Sequence, residues 1–416
     1  MARFPRSRSR SSRRISTNSR RLRRGRVTPR RPTSRRTMTA NHRSNPAERR
    51  AIGTGSADIP PGHTRRIDLV TSYIDDLRGQ PTAIRDTVAA IAGDAKLIDR
   101  LAALRGKHSV AMLTGMGSSH AALYPMHLSL LEGGTQNGWI DAGELLHYGA
   151  SGIPAGALLV VVSQSGETIE ITRLLDRLPS GVTIVGVTNH GESTLARRAD
   201  VPIVLRGGRE GIVATKTYVA TIAALRLATA AILGGSIEHE VTNFQAAATA
   251  LDSLLGDHVG LTKLVGDTLG APPRDLFLIG RGPGFASAQC GSLILKEASR
   301  TPAEPLTGGH FRHGPLEMVS SETSAIVFSP AGRTIDLTRR LAAEIHGYGA
   351  RVLLVGPRDA ALPGADLPII DTGRLDESIA PVVEIIAPEL LAIACARGRG
   401  REPAVFERLG KVTRTE

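Results

Sequence analysis

The stretch ALLVVVSQSGET, residues 157–168, is the strongest indication of how this chain folds. Its first half is an apolar run without a polar residue on either face, which is typical of a strand buried inside a parallel sheet. Its second half, Ser163-Gln164-Ser165-Gly166-Glu167-Thr168, is a polar turn that a helix-length segment follows. A strand, a hydroxyl-rich turn and a helix together predict one unit of an α/β fold with a ligand site at the turn.

Apolar runs of similar length recur along the chain. They lie at residues 110–114, 182–187, 201–205, 276–279, 325–328, 352–355 and 367–370. Helix-length segments separate the runs, so strands and helices alternate along most of the sequence. This alternation predicts parallel sheets covered by helices on both faces.

The turns at the ends of these runs repeat. The first strand ends in Gly115-Met116-Gly117-Ser118-Ser119, and its counterpart ends in Gly280-Arg281-Gly282-Pro283-Gly284. The turn at residues 163–168 corresponds to Ser329-Pro330-Ala331-Gly332-Arg333-Thr334. From the first Gly to the Ser of the second turn the spacing is 48 residues in one half and 49 in the other. This repeat predicts two copies of one doubly wound, flavodoxin-like α/β domain.

The repeat also sets the expected domain limits. The first domain is predicted over residues 67–235 and the second over residues 243–396, with a C-terminal tail at residues 397–416. A helix is predicted to open the first domain over residues 67–92. Pro81 interrupts this helix and starts a second one at its first turn.

The first 50 residues differ from the rest in charge. They contain 18 Arg, no Lys and one acidic residue, Glu48, a balance of +17. Since the whole chain carries +13, the remainder carries −4. We expect a disordered arm, because the segment cannot bury enough apolar area to order itself. Three interpretations remain open: contact with nucleic acid, an organellar transit peptide that is unusually poor in Leu, Ile and Phe, or a true start at Met38.

The remaining composition, 41% hydrophobic with 45 Gly and 24 Pro, is that of an ordinary soluble α/β protein. No uninterrupted apolar run approaches the ~20 residues of a membrane span. The two cysteines, Cys290 and Cys395, lie in apolar helical segments and suit a reducing compartment. We therefore expect a cytoplasmic protein that does not contact a membrane and needs no metal or cofactor.

The turn at residues 163–168 has the chemistry of a phosphate site. Ligands of open α/β sheets bind beyond the carboxyl ends of the strands, where the next helix presents unpaired N–H groups. Gly166 permits close backbone approach. The turn supplies three hydroxyl donors, whereas capping a helix needs one: Ser163, Ser165 and Thr168. The neighbouring strand end adds Gly117, Ser118 and Ser119.

The corresponding turn of the second half lacks the middle hydroxyl. It keeps Ser329, Gly332 and Thr334, but Ala331 replaces the middle Ser and Arg333 is added. We therefore expect it to play a structural role without holding phosphate. The glycine-rich turn at residues 280–284 is a weak indication of a dinucleotide site, because no acidic residue lies about 20 residues further on.

Several motifs resemble a known family. They are Gln80-Pro81, Gly117-Ser118-Ser119-His120-Ala121, the turn at residues 163–168, Ala214-Thr215-Lys216, Leu295-Lys296-Glu297, Ala303-Glu304, Arg312-His313-Gly314-Pro315 and Leu409-Gly410-Lys411-Val412-Thr413. In this order they resemble the SIS (sugar isomerase) family, and within it the isomerase half of glutamine–fructose-6-phosphate aminotransferase and the stand-alone glucosamine-6-phosphate deaminases. The resemblance runs from about residue 68 to residue 416.

The resemblance implies roles for particular residues. Those that hold the sugar phosphate would be Ser119, Ser163, Gln164, Ser165 and Thr168. Glu297 would move a proton between C1 and C2 of the sugar, and Lys411 would form a Schiff base with an open-chain ketose. His313 would open the sugar ring, from a loop that in the family reaches a neighbouring subunit's site. The implied assembly is a homodimer with a shared active site. The alternatives without a catalytic role are a salt-bridged surface residue for Glu297, a hydrogen-bonded loop residue for His313 and a tail residue for Lys411.

Two positions depart from the family. Ile294 stands where the aminotransferase has a second helix lysine, and His310 stands where the family usually has Glu. These departures leave the substrate and the ring-opening arrangement open. We interpret His120, Glu304 and Lys216 as structural.

Three functions remain open. The first is a phosphosugar isomerase/deaminase that converts glucosamine 6-phosphate to fructose 6-phosphate and ammonia. The second is deglycation, or isomerisation of another phosphosugar such as a galactosamine derivative. The third is a non-catalytic sugar-phosphate sensor, which the presence of Glu297 and Lys411 disfavours. The arm has no cysteine, so we expect no release of ammonia from glutamine by this chain alone.

Overall fold

The apolar runs form strands where the sequence predicts them. A computed structural model describes residues 72–358, 366–408 and 410, all within one compact unit at residues 66–416. The predictions for the arm at residues 1–50 and for Lys411 lie outside the described residues.

Two five-stranded sheets, both entirely parallel, form the frame of the described chain. The first contains β1 (Val110–Gly115), β2 (Gln136–Asp141), β3 (Leu158–Val162), β4 (Thr183–Thr188) and β5 (Val201–Val204). The second contains β6 (Asp275–Gly280), β7 (Glu304–Thr307), β8 (Thr323–Phe328), β9 (Arg351–Gly356) and β10 (Ile369–Asp371). The strand orders, β2-β1-β3-β4-β5 and β7-β6-β8-β9-β10, are the same. The prediction of two tandem flavodoxin-like domains is therefore confirmed.

Helices connect the strands and cover both sheets. In the first half they are α1 (Tyr73–Arg78), α2 (Gln80–Ala92), α3 (Ala95–Ala102), α4 (Ser118–Ala122), α5 (Tyr124–Glu132), α6 (Ala142–Glu144), α7 (Ile169–Arg177), α8 (Thr194–Arg198) and α9 (Lys216–Leu233). In the second half they are α10 (Ile237–Gly256), α11 (His258–Leu269), α12 (Gly284–Ser299), α13 (Gly308–Arg312), α14 (Ile335–Gly347), α15 (Pro381–Glu384) and α16 (Ile386–Gly398). Pro81 opens α2, so the predicted interruption of the first helix is confirmed.

The central strands are buried on both faces, as continuous apolar runs require. All residues of β3 and β8 are buried. Two of the four edge strands, β2 and β7, are not predicted by the apolar runs; their sequences are QNGWID and EPLT. An edge strand pairs on one side only and stays partly exposed, so it tolerates polar residues that hide it from a search for apolar runs.

The largest core cluster draws on both halves of the chain. It includes Leu113 and Ala224 from the first half and Leu278 and Leu391 from the second. Through it, helix α12 packs against α4, the short helix that follows β1. Helix α12 of the second half therefore borders the carboxyl edge of the first sheet.

Helix α9 is apolar on nearly every side. Among the described residues, it is the one helix that is long and apolar enough to cross a membrane. In the protein, 83% of that stretch is buried, and it packs against α2, α3, α5 and α10. This is the environment of a helix in the core of a globular protein.

Candidate functional site

The candidate site lies where the first sheet changes direction. From β1 the chain moves to β2 on one side and then to β3 on the other, so the carboxyl ends of β1 and β3 flank a topological switch point. A cavity of about 320 Å³ opens there. All seven residues predicted to bind the phosphate and substrate line it: Gly117, Ser118, Ser119, Ser163, Gln164, Ser165 and Thr168.

Hydrogen bonds within the turn fix the geometry of its hydroxyl groups. The Ser163 Oγ accepts from the Gly166 N–H at 3.1 Å and lies 2.9 Å from the Thr168 Oγ1. The Ser165 Oγ accepts from the Glu167 N–H at 3.2 Å. A hydroxyl group that accepts from a backbone N–H keeps its own proton for donation. The bond between Ser163 and Thr168 uses one of their two hydroxyl protons, so the turn is held in shape while Ser165 and one of these two hydroxyl groups stay able to donate.

The start of helix α7 completes this side of the cavity. Thr168 is the residue that caps α7, and its side chain makes no capping hydrogen bond to the helix. The first N–H groups of a helix have no partner within the helix and lie at its positive dipole end. An anion beside the turn would therefore meet both hydroxyl groups and the helix N-terminus.

Gly166 must be glycine for this turn to form. Its φ is +66°, a conformation that side-chain-bearing residues rarely adopt. A Cβ atom placed there would lie 2.1 Å from the Ser193 Oγ. The turn therefore packs directly against the segment after β4, and no side chain fits between them.

Helix α12 supplies the opposite wall of the cavity. Leu293 and Glu297, one helical turn apart, both line it. Glu297 is partly buried and lines the same cavity as the turn at residues 163–168. Ile294, one of the two departures from the family, is 1% exposed and packs in the core. This position accordingly contributes packing to the core.

Two other cavity-lining segments were not predicted as site residues. Ile212 and Ala214 line the cavity from the segment before α9, and Gly410 lines it from the C-terminal tail. The first pair overlaps the motif at residues 214–216, and Gly410 precedes Lys411, so the sequence carried a signal for both. Lys411 itself lies outside the described residues.

His313 does not line the cavity of its own chain. It follows helix α13, its side chain is exposed, and its N–H donates to the His310 carbonyl at 3.0 Å. His310 is also exposed. The structure therefore brings Glu297 and the turn at residues 163–168 together but does not bring His313 to them.

Lys216 and His120, two of the three residues interpreted from the sequence as structural, make structural contacts. The Lys216 Nζ lies 2.9 Å from the Asp76 Oδ1, and both side chains are largely buried. His120 stacks on Trp139 with ring centroids 4.1 Å apart. Burial lowers the pKa of His120, although Asp141 opposes this. Glu304 is exposed on the edge strand β7.

The second half has a cavity of about 340 Å³ at its own switch point, between the ends of β6 and β8. Its turn is filled by other parts of the chain. The Glu377 carboxylate accepts from the Arg333 N–H at 3.2 Å, and a Cβ atom on Gly332 would lie 1.8 Å from it. The buried Arg339 donates from Nε to the Ser329 Oγ at 3.0 Å. An internal carboxylate thus occupies the position where the turn would meet a bound anion.

The fold and the cavity define a tandem α/β protein with a hydroxyl-rich turn that lines a cavity at the switch point of its first sheet. The sequence profile of the SIS domain matches residues 104–231 and 271–355, one segment in each half and just over half of the chain. The chain belongs to the SIS domain family.

A relative with an assigned function is longer than this chain. The glutamine–fructose-6-phosphate aminotransferase of Pyrococcus horikoshii is 30% identical over 342 residues, which are 81% of this chain and 56% of that enzyme. The chain thus spans little more than half the length of this relative.

Solved structures show the same fold at lower identity. The C-terminal domain of glucosamine-fructose-6-phosphate aminotransferase from Francisella tularensis is 21% identical with a TM-score of 0.71, and the match covers 81% of this chain and 99% of that one. Glucosamine-6-phosphate deaminase from Thermotoga maritima is 20% identical with a TM-score of 0.64, covering 82% and 99%.

Proposed function

We propose that the chain is a phosphosugar isomerase/deaminase that converts glucosamine 6-phosphate and water to fructose 6-phosphate and ammonia. One observation carries the proposal: the hydroxyl-rich turn at residues 163–168 and an acidic residue, Glu297, line a single cavity. Relatives that match over most of this chain are named for chemistry on fructose 6-phosphate. Their similarity supports the choice of a hexose 6-phosphate.

The phosphate turn anchors the substrate at one end. Ser163, Ser165 and Thr168 line the cavity, and Thr168 is the residue that caps the N-terminus of α7. Among the described lining residues there is no Lys or Arg. Binding therefore relies on hydrogen-bond donors, which suit the three oxygens of a phosphate monoester.

Glu297 performs the proton transfer. With the sugar open, its carboxylate removes the proton from C2 of glucosamine 6-phosphate and returns it to C1. The nitrogen on C2 then forms a C=N bond. Water adds to this bond, its oxygen becomes the C2 carbonyl of fructose 6-phosphate, and ammonia leaves. The C1 oxygen gains the proton that the C2 nitrogen loses, so atoms and charge balance with water as the co-substrate and without an oxidant.

A second copy of the chain supplies His313 in this proposal. His313 is exposed and does not line its own cavity, so ring opening by this residue requires a neighbouring subunit. Lys411 is the next residue in the sequence after Gly410, which lines the cavity. Lys411 is proposed to form the Schiff base that holds the open-chain ketose.

The direct experiment incubates the full chain with glucosamine 6-phosphate and measures ammonia and fructose 6-phosphate. Both are expected to appear in equal amounts, and Glu297→Gln should lower kcat by about 100-fold or more while leaving fructose 6-phosphate binding intact. Lys296→Gln is the matched control, because Lys296 is the neighbour of Glu297 in the sequence but its side chain contacts Ser292. Saturable binding without either product would refute the deaminase and favour a sugar-phosphate sensor.

The shared site has its own test. Mixing inactive Glu297→Gln dimers with inactive His313→Ala dimers under exchange conditions should restore activity, because one mixed site then combines an intact Glu297 with an intact His313. Unmixed variants should stay inactive. A mixture that remains inactive, although mass spectrometry shows mixed dimers, would contradict a shared site.

A further inference from the structure

The C-terminal segment after α16 crosses the end of helix α12. The Arg399 Nη1 donates to the Thr301 Oγ1 at 2.7 Å. The Ala404 N–H donates to the Ala298 carbonyl at 2.8 Å. The Arg300 Nη2 lies 2.8 Å from the Glu407 Oε1. All three contacts fall on residues 298–301, directly after Glu297.

The backbone is strained at the same place. Among the described residues, Arg300 and Ala404 are the non-glycine residues with positive φ, at 55° and 59°. Such conformations persist where the surrounding contacts fix them, and they are frequent at functional sites. Phe406, between Ala404 and Glu407, packs against the core. The segment is thus held on α12 by backbone, charge and packing together.

We infer that this segment is a clamp that places Gly410 at the cavity, with Arg300, Ala404 and Glu407 as positioning residues for turnover. Gly410 lines the cavity three residues after Glu407, and α12 also carries Glu297. The clamp therefore joins two walls of the cavity to one helix. The inference rests on the proposed function, since it assigns these residues to the same reaction.

The clamp ion pair is poorly placed to serve stability. The side chains of Arg300 and Glu407 are 43% and 59% exposed, and ion pairs this exposed contribute little to the free energy of unfolding. Removing the pair is expected to move the tail while the fold remains. If the ion pair had a purely structural role, its removal would lower the melting temperature and leave turnover unchanged.

The backbone bond is tested with two substitutions at one residue. Ala404→Pro removes the N–H that bonds to Ala298 and excludes the positive φ, whereas Ala404→Gly keeps the N–H and adopts that φ freely. Ala404→Pro should lower kcat by about tenfold to 100-fold, since small misplacements of reacting groups cost that much. KM for glucosamine 6-phosphate should change less than about twofold, because the phosphate turn is untouched. Ala404→Gly should match the wild type.

The ion pair is tested by exchange of charges. Arg300→Glu and Glu407→Arg should each lower kcat by about two- to fivefold, less so at high salt, and the double variant should recover. Arg274→Glu is the matched control, because it breaks the ion pair between Arg274 and Glu322. The side chains of these two residues are 71% and 56% exposed, and the pair lies outside the clamp. The control should leave kcat unchanged.

The outcomes separate the clamp from the proposed function. If the wild type does not turn over glucosamine 6-phosphate, the proposed function fails, and amide hydrogen exchange tests the clamp alone. The Ala404 N–H should then exchange slowly in the wild type, and the flanking tail amides should exchange faster in Ala404→Pro than in Ala404→Gly. Equal kcat in all clamp variants of an active wild type, or equal exchange in both Ala404 variants, would overturn the clamp.

Discussion

An exchange of one hydroxyl group between the two halves tests the phosphate turn. Ser165 is the middle hydroxyl of the first turn, and Ala331 is its counterpart in the second. Ser165→Ala therefore gives the first turn the composition of the second at this position. Ala331→Ser makes the reverse change and is the matched control.

The expected loss follows from the contacts of Ser165. Its Oγ lines the cavity and accepts one bond, from the Glu167 N–H at 3.2 Å. Glu167 is exposed, so water replaces that bond in the variant and the fold is little affected. A hydrogen bond to a charged group contributes about 1.5–3 kcal/mol, and about 1.4 kcal/mol corresponds to a tenfold change in affinity. The dissociation constant of fructose 6-phosphate should therefore rise roughly 10- to 100-fold.

Isothermal titration calorimetry with fructose 6-phosphate and with inorganic phosphate measures this change. Both ligands should weaken by a similar factor, because the lost contact is to the phosphate. Ala331→Ser should leave both affinities unchanged, since Glu377 already fills the second turn. A loss under about threefold, or an equal loss in Ala331→Ser, would refute the assignment of the turn.

Two further predictions concern buried and internal carboxylates. Glu384 is fully buried, and burial raises its pKa to about 8 against the opposing hydrogen bond from Ser287. Such a group stabilises the fold at low pH and loses that contribution as pH rises toward 8, so the wild type should lose about 3 kcal/mol relative to Glu384→Gln between about pH 5 and pH 8. Urea unfolding at several pH values measures this, and a pH-independent difference would contradict it. Glu377→Ala should uncover the Arg333 N–H and create a second, weak phosphate site. Calorimetry should then show two phosphates per chain instead of one, and a stoichiometry that stays at one would count against an occupied second turn.

Most of the fold could be predicted because its determinants are local. Eight of the strands coincide with apolar runs in the sequence. The matched turns at residues 115–119 and 280–284 predict the duplication. The edge strands β2 and β7 carry polar residues and give no such signal. Their existence follows only from the pairing with β1 and β6, which is long-range.

The candidate site could be predicted in part. The hydroxyl groups of the turn follow from the sequence because they lie within six residues of one another. The approach of α12 does not follow from periodicity, since Glu297 is more than 120 residues from the turn at Ser165. Only the resemblance to a family linked the two, and the structure places them on one cavity.

Under the proposed function only the first turn binds phosphate, and the sequences of the two turns explain this difference only in part. Both have the same position in the same sheet topology, and both follow a buried strand. The replacement of the middle Ser by Ala331 removes one donor, yet Ser329 and Thr334 remain. In our proposal the second turn is closed from elsewhere: the Glu377 carboxylate accepts from the Arg333 N–H, and Ser329 is fully buried beside Arg339. We therefore propose that the two halves carry equivalent turns, and that residues outside the turns leave the first open to its cavity and close the second.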